Sequence, residues 1–302
     1  MFTVRRYDLL FVQREAMVFG PALFEWLFST VGRLPMILDL DDATYVRYIS
    51  PTYGRLGSLL KFFGKTDKLI ERAKLVTCGN RYIADHVESL GTSAIVVPTV
   101  VDLEQFRPRD KPPKDSGLRV GWIGTHSTFP FLRELFPVLE KLSSRYDFVL
   151  RVVGAGSFDP PPGIETEILD WDLDREVEDF RSLDIGLYPI FTSDSANEDW
   201  IRGKSGFKAI QYMAVGVPFV MSPVGVCAEI GEDGVTHFNA LAEEDWYNSL
   251  ERLLKDPVLR ASMGAAGRAF SERTYSLEKQ TDLLAGAIRT TAGRERPTAT
   301  ER

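Results

Sequence analysis

The chain is 302 residues long, room for about two domains of ordinary size. Hydrophobic residues make up 44% and charged residues 26%, which excludes a disordered, collagen-like or disulfide-scaffold protein. The net charge of −7 leaves no surplus of cations to displace phosphate counterions, so a general nucleic-acid binder is excluded and any anion site must be local.

In chain order, Tyr7 to Gln13, Met36 to Leu40, Leu75 to Cys78 and Ala94 to Val97 are short apolar runs that read as buried strands. Helical spacing fills the gaps, over Pro21 to Val31, Ser58 to Ala73 and Arg81 to Leu90. This alternation predicts a parallel sheet with right-handed crossovers. Arg109 to Gly117, RDKPPKDSG, reads as an exposed linker. Within the first domain Lys61, Lys65, Lys68 and Arg72 interleave with Leu59, Leu60, Phe62 and Phe63, a basic amphipathic stretch that suits either an anionic membrane surface or core packing with a wet back.

A second alternation starts at Arg119. Arg119 to Ile123, Phe148 to Val153, Ile185 to Pro189 and Pro218 to Met221 read as strands. One continuous helix is expected through Phe131, Leu132, Leu135, Phe136 and Leu139, with others over Asp174 to Arg181, Ser205 to Ala214, Glu243 to Leu254, Val258 to Phe270 and Leu277 to Ile288. Gly293 to Arg302 reads as a disordered tail. The expected division is 1–110, 111–275 and 276–302, the last a terminal helix and tail.

Cys78 and Cys227 lack metal-type spacing and read as reduced thiols. His86, His126 and His237 are scattered, which argues against a zinc enzyme. No run approaches the length of a membrane span, and Met1 to Asp8 holds no secretory apolar core, so a cytoplasmic protein is expected.

The sharpest local signal is RGKSGFKAIQ, Arg202 to Gln211, with three cations in seven residues and no carboxylate. Ser205 is placed to cap the helix, with Phe207, Ile210 and Ala214 on its buried stripe and Lys204, Lys208 and Gln211 on another face. Free amides and cations then suit a phosphate or diphosphate; a solvated face paired with Glu198 and Asp199 is the bland alternative. Gly121 to Thr128, GWIGTHST, ends a strand in a glycine, Gly124, followed by hydroxyls, Thr125 and Ser127, that can cap the next helix; Gly154 and Gly156 repeat the device. Asp39, Asp41 and Asp42 follow the second strand, and Arg14 ends the first. These groups can orient the hydroxyls of an acceptor, hold a divalent cation or simply be solvated. ILDLDDA also resembles the first motif of haloacid-dehalogenase-type phosphohydrolases, with Ala43 where threonine or valine is usual, so a metal-dependent phosphohydrolase using Asp39 and Asp41 is a second reading.

The stretch GKSGFKAIQYMAVGVPFVMSPVGVCAE, ending at Glu229, resembles the donor-binding segment of retaining GT-B glycosyltransferases of the family-4 type. DIGLYP, Asp184 to Pro189, resembles the strand leading into it, and PTVVD, Pro98 to Asp102, resembles that family's interdomain turn. The resemblance implies two Rossmann-like doubly wound domains, the first a reduced acceptor domain because such chains usually carry a further strand and helix before a segment like YDLLFVQR. Either the encoded start is internal or the acceptor domain is small. It implies sugar transfer from a nucleotide-diphosphate sugar to an acceptor hydroxyl with retention, without metal or other cofactor, onto a saccharide or lipid-linked acceptor at the inner membrane surface. Gly124 and Thr125 would approach the diphosphate, and Gly154, Gly156 and Trp171 the base and ribose. Where the family has two glutamates eight positions apart this chain has Gly203 and Gln211, and Thr125 stands where an arginine is common; the diphosphate charge is therefore assigned to Lys204 and Lys208. Lys204, Asp42 and Arg14 are the expected catalytic groups, and Ser127, Ser205, Gly206 and Phe207 complete the donor site. A catalytically weak nucleotide-binding subunit is the remaining alternative.

Overall fold

Among the described residues, ten parallel strands fall into two sheets. The computed structural model describes residues 6–46, 60, 62, 64–110, 117–191, 199 and 201–293; most of the expected linker (111–116), the tail from 294 on, and Leu59, Lys61 and Phe63 of the basic stretch lie outside them, as does Glu198. The first compact unit gathers residues 1–99, 194–205 and 278–302, and the second residues 100–193 and 206–277. The chain therefore crosses between units four times, and the segment carrying Lys204 groups with the first.

In the first unit β1 (Leu10–Gln13), β2 (Met36–Leu40), β3 (Leu75–Cys78) and β4 (Ala94–Val96) pair in that order. The even-numbered apolar residues Met36, Leu38, Leu40, Val76 and Cys78 meet Leu69, Ile70, Ile83 and Val87 in one core, as period-two side chains over crossover helices must. Asn80 starts the Arg81–Ser89 helix from extended backbone, its Oδ1 accepting the Ile83 amide at 2.9 Å. Lys65 does not face water as the basic stretch implied. It is buried, paired with Glu15 at 2.8 Å.

In the second unit β5 (Leu118–Ile123), β6 (Phe148–Val153), β7 (Thr166–Leu169), β8 (Ile185–Tyr188), β9 (Phe219–Met221) and β10 (Phe238–Asn239) take the order β10-β9-β8-β5-β6-β7. The chain moves outward from β5 to β7, then returns to the other side of β5. The reversal between β5 and β8 is the topological switch point, where open α/β sheets leave a crevice at the carboxyl ends of their strands. The helix expected through Phe131 to Leu139 is two, Phe129–Arg133 and Phe136–Ser143. Pro137 explains the break, since it has no amide to give the carbonyl of Arg133 and its ring crowds that oxygen.

Candidate functional site

Around the switch point of the second unit, three of the expected donor residues converge. Gly124 follows β5, its amide bonded to Val153 O at 3.0 Å, and lies flat on the buried Trp122 indole: a Cβ there would sit 2.1 Å from Trp122 Cζ2. Gly154 follows β6 with φ +81°, and a Cβ on it would meet Gly124 O at 2.2 Å and Trp171 Cβ at 3.3 Å. Only glycine allows both that backbone conformation and that approach. Gly156, φ +77°, faces open space. The Trp171 side chain beside them is half exposed, an aromatic face available to a planar ligand.

The hydroxyl turn differs from expectation in what it caps. Thr128 is the N-cap residue of the Phe129–Arg133 turn, but its side chain makes no cap bond. Its Oγ1 accepts the Thr125 amide at 3.3 Å, while Thr125 Oγ1 and Ser127 Oγ lie 2.8 Å apart. These bonds hold a tight turn that leaves Thr125, His126 and Ser127 exposed at the end of β5. His126 lies in this turn, and no spacing pattern had singled it out.

The Phe207–Ala214 helix starts at Gly206, not Ser205. Gly206 takes φ +64°, and a Cβ would lie 2.5 Å from Ile230 Cδ1 and 2.9 Å from Val226 Cγ1, so no capping side chain fits at that position. The helix begins without a side-chain cap, and its positive end lies at this position. Lys208, half buried in its first turn, sits over the Tyr188 ring at 5.8 Å, and Tyr188 closes β8. One turn on, Gln211 is 2% exposed and its Nε2 has no hydrogen-bond partner among the described residues. A buried amide donor left unmatched is costly unless a ligand or water meets it. The other end of this helix is fixed: Arg268 donates to Ala214 O at 2.6 Å, and Gly264 allows the neighbouring helix to approach so closely that a Cβ there would be 2.1 Å from Gly216 O.

The remaining expected residues assemble at the carboxyl ends of β1, β2 and β3 in the first unit. Arg14, in the left-handed region at φ +58°, forks onto Asp41 with two 2.5 Å bonds and reaches Asp42 at 3.0 Å. Thr77 Oγ1 donates to Asp39 at 2.5 Å. Burial pushes the Asp39 carboxyl above its ordinary range, with Asp41 adding and Thr77 and Arg14 opposing. Asp42 is raised by burial and by Asp41, against the charges of Arg14 and Lys204. Lys204 is depressed by burial, with Asp42 opposing. Lys204 lies before the helix, so it does not share a helix face with Lys208 and Gln211. Its segment is held in the first unit: Asn80 Nδ2 donates to Lys204 O at 3.1 Å, Tyr82 to Asp199 at 2.9 Å, and a Cβ on Gly203 would overlap Ala43 Cβ at 2.1 Å. That overlap gives a physical reason for glycine where the resembling family has a glutamate. Asn80 and Tyr82 were not among the expected site residues. Among the described residues no group of three or more His, Cys, Asp or Glu side chains is placed to hold a metal ion.

No protein-family model matches the sequence, and no curated protein matches it. Solved structures do match. A glycosyltransferase from Rickettsia africae ESF-5 superposes with a TM-score of 0.73 at 14% identity, over 97% of this chain and 80% of that one. Sucrose-phosphate synthase from Thermosynechococcus elongatus gives 0.69 at 15% identity, over 96% and 75%. Anabaena HepE, solved with UDP-glucose, gives 0.68 at 16% identity, over 96% and 80%. At such identities the likeness is one of fold, and the fold is the two-sheet arrangement of GT-B glycosyltransferases.

Proposed function

We propose that the chain is a glycosyltransferase that moves a sugar from a nucleotide-diphosphate donor to an acceptor hydroxyl with retention and without an obligatory metal. The observation that carries this reading is the crevice at the carboxyl ends of β5, β6 and β8, where Gly124 and Gly154 touch beside the exposed Trp171 and Lys208 of the following helix sits over Tyr188. A glycine-lined turn admits a diphosphate to backbone, and the uncapped helix and Lys208 favour its charge. Gln211 supplies a buried donor for a ribose hydroxyl, and Trp171 a face for the base. HepE, with the same fold, was solved with UDP and with UDP-glucose, which makes a UDP-sugar the first donor to try.

The first unit is the acceptor side of this reading. Arg14 and Asp42 orient acceptor hydroxyls at its strand ends, with Lys204 as the cation beside Asp42. Of the two carboxylates named for a phosphohydrolase, Asp41 is engaged on both oxygens by Arg14, and Asp39 accepts from Thr77. A saccharide or lipid-linked acceptor, and a role in polysaccharide, glycolipid or glycoconjugate assembly on the cytoplasmic face of a membrane, complete the proposal.

A thermal-shift screen of nucleotide-diphosphate sugars tests it, because a ligand at a hundred times its dissociation constant stabilises the fold by about 2.7 kcal/mol. A shift with one donor, followed by transfer to a sugar acceptor in the presence of chelator, is the expected result. No shift across the panel would remove the reading.

A further inference from the structure

The short helix after β1 is turned inside out. Leu23–Trp26 runs into one π-helical turn, Leu27–Val31, and the residue that this pair of turns buries is its one carboxylate, Glu25, 2% exposed. Glu25 Oε1 accepts the Ala16 amide at 2.8 Å. Leu23, Phe24 and Trp26 are 55%, 47% and 41% exposed. A surface helix ordinarily does the reverse, turning its apolar stripe to the core.

Buried polar contacts hold the preceding loop in place. Lys65, ion-paired with Glu15, donates to the carbonyls of Met17 and Val18, and the Gly20 amide donates to Leu60 O at 3.1 Å. These ties display the Val18, Leu60 and Phe62 side chains at the surface. With Leu23, Phe24 and Trp26 they make six exposed apolar side chains on this loop, the helix it leads into and the segment tied to it, the composition of an interaction face.

Cations frame it. Between Ala16 and Leu38 the charged residues are Glu25, turned inward, and Arg33, exposed. Arg72 donates to Thr30 Oγ1 at 3.1 Å, which brings the Lys65–Arg72 helix alongside. Lys68, Arg72 and Lys74 are exposed there against the one exposed carboxylate, Glu71, since Asp67 is half buried against His86 at 3.0 Å. An apolar face with a basic rim, on a chain of net charge −7, matches an anionic bilayer: the hydrocarbon enters the headgroup boundary, the cations meet lipid phosphates and an indole suits the interface. A second copy of the chain would bring the same cations against them. Among the described residues no helix is long and apolar enough to cross a membrane, so the contact is interfacial.

We propose that this face docks the protein on an anionic lipid surface. It deepens the lipid-linked acceptor of the reading above and rests on that reading only for its purpose, because the binding does not require catalysis. Flotation of the full chain with vesicles of equal parts phosphatidylglycerol and phosphatidylcholine, against phosphatidylcholine alone, is the test. Wild type is expected to float with the anionic vesicles and to be released by high salt. Phe24→Ser with Trp26→Ser, and separately Lys68→Glu with Arg72→Glu, are each expected to reduce binding by at least about tenfold with an unchanged circular-dichroism melt. If the serine variant fails to fold, the charge variant decides. Wild type that ignores anionic vesicles, or variants that bind equally well, overturns the proposal, as does a dimer in sedimentation that the serine variant disperses and that binds no vesicles. Vesicle binding without nucleotide affinity keeps the docking and removes the sugar transfer; nucleotide affinity without vesicle binding does the opposite.

Discussion

The α-carbon of Gly154 faces the carbonyl oxygen of Gly124 so closely that a methyl group would stand 2.2 Å from it. Two strand ends are pressed together at the bottom of the crevice, and no side chain can separate them without moving backbone. Gly154→Ala would add that overlap to a left-handed φ of +81°, a combined cost of about 2–5 kcal/mol from strain and overpacking. Gly156→Ala, at φ +77° with open space around it, would lose only the strain of about 1–2 kcal/mol. Chemical denaturation of the two variants checks the contrast, and nucleotide affinity should fall with Gly154→Ala. Equal losses would mean that the approach is not tight.

Lys208→Ala is expected to weaken nucleoside-diphosphate binding by about ten- to a hundredfold, because one charge-assisted hydrogen bond is worth about 1.5–3 kcal/mol. Lys208→Arg should recover part of it. Calorimetry reads the change directly, and an unaltered dissociation constant would move the diphosphate elsewhere.

Much of this architecture was legible because apolar runs buried on both faces leave few other readings: MILDL and FVLRVV could only be strands of a covered sheet. TEIL was missed, since Glu167 breaks the run; only in the fold does its carboxylate meet Arg151 at 2.5 Å across the edge pair. At the site the glycine turns were visible, but their cause was not, since neither the Trp122 floor under Gly124 nor the Ile230 wall beside Gly206 can be read from spacing. Lys204 was drawn onto a helix because the pattern before Phe207 is helical in period. Its actual support, Asn80, lies 124 residues away, and such contacts leave no local signal.

Cys78 and Cys227 are buried, and burial pushes each thiol up to about 12, with Asp39 adding to the shift at Cys78. Neither forms thiolate at neutral pH. A disulfide-exchange reagent should label neither in the folded protein and both in denaturant. Fast labelling of the native state would contradict the packing around β3.

Asp39→Asn should stabilise the protein at neutral pH. Burial raises the folded carboxyl above its ordinary 3.8, so between the unfolded and folded values the native state holds more protons than the unfolded chain. Stability from this group is therefore full below 3.8 and falls as the pH rises through the folded value. Asparagine avoids that loss and can still accept from Thr77. Thermal melts of both proteins across pH should show the variant's advantage vanish in acid. A variant that is less stable to the same extent at every pH would mean that the Asp39 charge is well compensated.

Lys204→Met should move the acid limb of the activity profile to higher pH. Lys204 is one of the two cations that oppose the rise of the Asp42 carboxyl, Arg14 being the other. Removing its charge leaves desolvation and Asp41 less opposed, so protonation of Asp42 sets in at a higher pH than in wild type. If ionised Asp42 orients the acceptor, turnover at mildly acidic pH falls more than turnover above neutrality. The ratio of the two rates, measured on one preparation with donor saturating, separates this effect from a uniform loss. A profile lowered equally at all pH values would leave Lys204 with no charge role at Asp42.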